Sequence, residues 1–310
     1  MLTILLTLVC SPPRAAQEAG AERPAALVIE GGYAQERPLT PGTQIRVWAH
    51  LRPADQVFLG WEGPAAQYLN EKTSWYAVLT VPEAGLADPR LQARVADVAI
   101  RKETLSFTGV TTTKDLQFLA PEARPARALA FFFHDSDSNF DAFKLAEVHN
   151  FALTLVHHGY AVAAFSSMAI EAWRPGSEET PRWNGKEEQL EQNEDMRNAL
   201  LARAALMEAG VVGKDVPCFA FGTGNGGTFA ASATAVLGWK AAASFCGPGR
   251  KQILQAHPAP VVWVVGAHDW QMRTAADEAR EARKLLEDLG APAKLYLVES
   301  APLRIEHLVE

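Results

Sequence analysis

The 310-residue chain predicts an α/β fold, a doubly wound and mostly parallel sheet preceded by a small all-β domain. Three observations carry this. Residues 128–133, 160–165, 216–221, 240–245, 260–265 and 293–299 are apolar runs, the pattern of strands buried on both faces. Segments with apolar residues at helical spacing separate most of them, and βα alternation of this kind builds a parallel sheet. Residues 26–104 instead alternate apolar and polar positions between turn residues, which predicts short half-buried strands.

In chain order, residues 1–9 (MLTILLTLV) are apolar but too few to span a bilayer. Pro12, Pro13 and an Ala-rich stretch (Ala15, Ala16, Ala19, Ala21) follow, so residues 1–25 read as a signal peptide and linker. The chain is therefore expected to be secreted or periplasmic; if the apolar stretch is not a signal, it is cytoplasmic. A basic n-region is missing, which leaves open a truncated start. Cys10 follows Val9, a poor lead-in for a lipid anchor.

Strands are expected at 26–30, 44–50, 56–61, 75–81 and 91–95. This stretch carries Gly31-Gly32-Tyr33, then Pro41-Gly42-Thr43 leading into a strand, then Gly60-Trp61-Glu62-Gly63, then Leu79-Thr80-Val81-Pro82. In that order they resemble the divergent internalin-B-type repeat, a small β module of bacterial surface and secreted proteins. One copy implies no repeat array.

The second domain is read over 105–310, with residues 116–119 as an antiparallel strand leading in. Helices are expected at 141–158 and 190–209, ended by Gly159 and Gly210, and at 227–237 and 274–289.

The densest signal is Cys218-Phe-Ala-Phe-Gly222-Thr-Gly224-Asn-Gly226-Gly227-Thr-Phe-Ala230, an apolar strand, a glycine-packed turn and a small-residue helix. This is the local form of the nucleophile elbow, Gly-x-Ser-x-Gly, in which a strained strand-to-helix turn lifts a serine clear of the sheet. With the βα order it resembles the α/β-hydrolase superfamily, nearest the secreted esterase and polyester-depolymerase-like branch, whose usual elbow is Gly-His-Ser-Asn-Gly-Gly. Gly222, Asn225, Gly226 and Gly227 match that pattern; Thr223 and Gly224 do not. Gly224 stands at the nucleophile position and has no nucleophilic atom, so the acyl-enzyme route is closed there. Glycine takes positive φ without steric penalty. A protein released from catalysis is expected to drift to it at a position that otherwise costs about 1–3 kcal/mol.

The resemblance also implies the rest of a site. Phe131-Phe132-Phe133-His134-Asp135-Ser136 aligns with the family's strand followed by His-Gly, where a loop N–H and the N–H of Asn225 would bind the oxyanion. Asp135 in place of glycine puts a carboxylate near the developing negative charge, which opposes acyl transfer; the plainer reading is a polar loop capping the next helix. Gly266-Ala267-His268-Asp269 resembles the family's Gly-x-x-Asp, making Asp269 the acid that orients a histidine, and His307 is the histidine in the expected segment. His134, Thr223, Trp183 and Trp270 are expected to line the site for substrate, and Trp173 and its fellow tryptophans to stack on a sugar, aryl ester or polymer, or simply to pack their loops.

Composition narrows the alternatives. A formal charge of −7 and 21% charged residues without a basic run argue against nucleic acid. Cys218 and Cys246 are expected as core fillers, and no Cys-x-x-Cys or His-Glu-x-x-His spacing points to a metal; no cofactor is expected. Gly222-x-Gly224-x-x-Gly227 also fits a dinucleotide fingerprint, but no carboxylate closes the next strand, which ends Ala243-Ser244-Phe245-Cys246.

Three functions remain open. One is a catalytically degenerate hydrolase that binds a carbohydrate, ester or polymer. Another is an active carboxylic-ester hydrolase using a displaced hydroxyl at Ser136, Ser138 or Thr223; the third is a nucleotide binder. If Asp269 and His307 still form a relay, Gly224→Ser is expected to restore esterase activity.

Overall fold

A computed structural model describes residues 26–50, 56–123, 125–136, 138–172, 182–185, 189–267 and 275–298. The described chain divides into two compact units, residues 26–49 with 61–93, and residues 56–60 with 94–298.

The first part of the chain forms β1 (Val28–Glu30), β2 (Gly32–Ala34), β3 (Gln44–Ala49), β4 (Gln56–Glu62), β5 (Tyr76–Thr80) and β6 (Arg90–Asp97). They make two three-stranded sheets, in the orders β1-β6-β4 and β2-β3-β5. On β3 the alternation is literal: Ile45, Val47 and Ala49 are buried, and Gln44 and Arg46 face solvent. That period of two is what a sheet with one wet face imposes.

The larger unit contains β7 (Ile100–Thr108), β8 (Thr113–Pro121), β9 (Ala128–Phe133), β10 (Tyr160–Phe165), β11 (Cys218–Thr223), β12 (Ala241–Phe245), β13 (Val261–Gly266) and β14 (Ala293–Val298). Their order is β14-β13-β12-β11-β9-β10-β8-β7. β8 runs antiparallel to β7 and β10, and β9 to β14 are parallel to one another. The doubly wound, mostly parallel sheet with an antiparallel lead-in is as the sequence predicts.

Helices α1 (Ala146–His157), α2 (Met168–Ala172), α3 (Glu194–Glu208), α4 (Asn225–Leu237), α5 (Lys251–Ala256) and α6 (Ala275–Asp288) complete the unit. Every residue of β9 is buried, and alternate side chains enter two different cores. Leu129, Phe131 and Phe133 join the core that also takes in residues of α3 and α4, whereas Ala130 and Phe132 join the one that holds Ala152, Leu153 and Val156 of α1. A strand clad on both sides cannot show polar alternation, which is why its sequence is one apolar run.

Three departures from expectation have a clear physical reason. β11 is shifted two residues towards the turn, because Pro217 has no N–H for the ladder and pairing begins at Cys218. Residues 140–144 form a 3-10 turn capped by Asn139, whose Oδ1 accepts from Asp141 N at 2.7 Å, so α1 starts only at Ala146. β7 enters the large sheet from Ile100 as its edge strand; its charged, largely exposed residues carry no apolar signature.

Candidate functional site

The strand order places the site. From β9 the chain crosses by α1 to β10 on one side; from β11 it crosses by α4 to β12 on the other. The connections leaving the adjacent strands β9 and β11 therefore depart in opposite directions, and in such sheets ligands bind beyond the carboxyl ends of the strands at this switch point. Register aligns Gly222 with Phe133 and Thr223 with Phe245, so the turns after β9 and β11 lie side by side.

The β11–α4 turn is held as an elbow. Gly224 has φ 52° and ψ −118°, its N–H donates to Phe245 O at 2.8 Å, and its carbonyl accepts from Thr228 N at 3.1 Å. An L side chain in that conformation is strained by about 1–3 kcal/mol. At Gly226 any Cβ would run into the carbonyl oxygens of Phe133 and His134, so only glycine lets the helix come this close to β9.

Asp135 fills the space above the turn. Its Oδ1 accepts two backbone hydrogen bonds, from Ser136 N at 2.7 Å and from Asn225 N at 2.8 Å. A Cβ placed on Gly224 would overlap the Asp135 carboxyl group itself. The carboxylate thus occupies the volume in which an elbow side chain would begin. It also meets the first N–H of the 13-residue helix α4, where the helix dipole favours negative charge.

A short circuit of hydrogen bonds fixes the surroundings. Asn225 Oδ1 accepts from Trp183 N at 2.7 Å, and Trp183 Nε1 donates to His134 O at 2.9 Å. Trp183 is only 3% exposed, stacked on Phe229 at 4.9 Å and edge-on to Phe133 at 4.9 Å. This corrects its expected place among the ligand contacts, since its ring faces are covered by the core.

His134 is corrected likewise. It is 2% exposed, with Nε2 accepting from Ser167 N at 3.2 Å and Nδ1 bonded to Asp135 O at 2.7 Å. An Nε2 that accepts leaves the proton on Nδ1, which donates to the Asp135 carbonyl. Burial holds its pKa below the ordinary 6.5, so the imidazole is a neutral brace between two loops, with both ring nitrogens engaged by backbone.

Beside it lies a polar floor that sequence reasoning missed. Asp195, 2% exposed, accepts from Met168 N at 2.8 Å and Asn184 N at 2.9 Å; burial raises its pKa, and the nearby Lys114 charge opposes that rise. Lys114, 1% exposed, donates to Ser166 O at 3.0 Å. Asn193 caps α3 through Met196 N at 3.0 Å and donates to Asn184 O at 2.8 Å. The run Gln192-Asn193-Glu194-Asp195 ahead of a helix was the available signal, since Asn is a favoured N-cap.

Of the remaining expected residues, Thr223 ends β11 half-buried and Ser136 contributes its N–H to Asp135. Asp269, Trp270, Trp173 and His307 lie outside the described residues, as do residues 1–25 with Cys10. Cys218 is buried in β11, and burial raises its thiol pKa. Cys246 corrects its expectation as a core filler: it is exposed, one residue past β12, at φ 57°. Among the described residues no group of three His, Cys, Asp or Glu side chains could hold a metal ion, and no helix is long and apolar enough to cross a membrane.

No protein-family model matches the chain, and no curated protein matches it in sequence. Solved structures similar to it include a dienelactone hydrolase from Anabaena variabilis ATCC 29413, at TM-score 0.48 and 15% identity over 66% of this chain and 88% of that one. Esterase Est22 gives TM-score 0.47 and 11% identity, over 64% and 72%. An acylaminoacyl peptidase of Pyrococcus horikoshii gives TM-score 0.49 and 11% identity, with 88% of this chain covering 50% of that one. At these values the likenesses carry no argument; the chain's own strand order gives a doubly wound, mostly parallel sheet with a tight strand-to-helix turn after β11.

Proposed function

We propose that this chain is an exported protein of α/β-hydrolase type that has lost acyl-transfer chemistry and binds a ligand at the crevice beyond β9 and β11. One observation carries the proposal: residue 224 of the elbow has no side-chain oxygen, and the Asp135 carboxylate lies across it, taking the Asn225 and Ser136 N–H groups. Acyl transfer needs a nucleophile and donors aimed at a developing oxyanion. Here the first is absent and the second are engaged by an anion.

A ligand reaching this turn meets an exposed hydrogen-bond acceptor. That suits the hydroxyl groups of a carbohydrate or hydroxylated polymer better than an ester carbonyl, and Trp173 or Trp270 would supply the stacking surface. A nucleotide would want its phosphate at the start of α4, where Asp135 lies. The module at 26–104 is read as an internalin-B-type repeat that attaches or spaces the larger domain at a surface.

Hydrolysis of p-nitrophenyl acetate and butyrate by the purified chain tests the loss of chemistry. No turnover above buffer is expected. Turnover abolished by Asp269→Ala or His307→Ala would instead establish an esterase with a displaced hydroxyl, Ser136, Ser138 or Thr223.

A further inference from the structure

We propose that Asp135 and Gly224 form a single lock, in which the Asp135 side chain acts as a tethered substitute for a reaction oxyanion and bars the turn to a side chain at 224. This deepens the non-hydrolytic proposal above and rests on it for its functional meaning, though its physical test is independent.

Two observations meet here. The first is directional: one carboxylate oxygen gathers the N–H of Asn225, which follows the nucleophile position, and that of Ser136 in the loop after β9, the two loops from which an acyl-transfer site draws its oxyanion donors. A bond from Ser136 alone would be a local turn, but the bond from Asn225 spans 90 residues of sequence and ties two loops together. The second is steric: the carboxyl group stands where the Cβ of any residue at 224 would be. Glycine at 224 therefore makes room for Asp135, and Asp135 in turn satisfies the donors at the start of α4.

Restoring the serine alone is therefore not expected to revive the site, contrary to the expectation from sequence. A serine at 224 must first displace Asp135, which strips both N–H groups of their acceptor. Removing Asp135 in addition frees the space and the donors together.

Urea unfolding of four proteins tests the coupling: the natural chain, Gly224→Ser, Asp135→Ala, and both together. Gly224→Ser is expected to lower the folding equilibrium constant by on the order of tenfold more in the natural background than beside Asp135→Ala, within the range for residues in contact. Equal losses in the two backgrounds would overturn the lock. Should Gly224→Ser fail to fold, folding of the double variant supports the lock. If neither folds, amide hydrogen exchange in the natural chain and Asp135→Ala decides. The Asn225 and Ser136 amides should exchange about tenfold faster in the variant, given that an accepted bond is lost; unchanged rates would overturn the proposal. Ester turnover by the natural chain would sink the non-hydrolytic proposal without affecting these readouts, and an additive cycle would sink the lock without supplying a nucleophile.

Discussion

The elbow at Gly224 and the polar floor around Asp195 both sit at the carboxyl end of the large sheet, and both rest on a carboxylate that accepts two backbone N–H groups. They differ in water. Asp135 is exposed, so its two bonds compete with solvent and its loss leaves donors that water can reach. Asp195 is almost fully buried, so although its donors Met168 N and Asn184 N are only part-buried, water does not readily enter the place of its carboxyl group. The same chemistry is therefore a replaceable plug in one place and a structural support in the other. Change at the first therefore costs the fold little, while change at the second costs it more.

The sharpest way to break this contrast is to remove each carboxylate. Asp195→Ala should cost about 2–3 kcal/mol in urea unfolding, because it removes a buried acceptor from two part-buried N–H groups. Asp135→Ala should cost well under that, about 1 kcal/mol, since water replaces the side chain. Equal losses would refute the distinction. Next in size, Gly224→Ala should lose about 1–3 kcal/mol from its positive φ alone, with more from overlap with Asp135.

Acid titration sharpens the comparison on the buried side. His134 has its pKa depressed by burial, with Asp135 raising it and Lys114 lowering it further. As pH falls below the ordinary 6.5, the unfolded chain takes up its proton first. The contribution of His134 is thus complete above that value and is lost as pH falls through the folded pKa. Asp195 titrates in the opposite sense, its raised pKa making the folded state gain stability as pH falls towards the ordinary 3.8. Chemical denaturation just below pH 6.5 should show the His134 contribution being lost, seen as a smaller loss of stability on acidification in His134→Gln than in the natural chain. The smallest effect is kinetic: a thiol reagent should modify exposed Cys246 in the native protein and reach Cys218 only on unfolding, as mapped by peptide mass.

Much of this was legible in the chain. The runs at 128–133 and 160–165 became β9 and β10 residue for residue, because strands covered on both faces leave no ambiguity of period. Gly224 was legible because the elbow is a local motif, and Asp135 because it departs from the aligned His-Gly. Their contact was not, since it joins residues some ninety positions apart through strand register. Trp183 and His134 were misread for a related reason: aromatic residues beside a crevice and aromatic residues under it have the same sequence signature, and only burial separates them. The edge strand β7 escaped because an edge is kept charged, and Lys114 and Asp195 escaped because a buried charge is recognised only through partners brought by the fold.

The central claim is that the crevice contains no nucleophile capable of acyl transfer. It is tested most directly by incubating the intact purified chain with a fluorophosphonate and weighing it by mass spectrometry. The expected result is an unchanged mass at neutral pH, with a serine esterase labelled in parallel. A stoichiometric phosphonyl adduct mapped to Ser136, Ser138, Thr223 or any other crevice residue would contradict it.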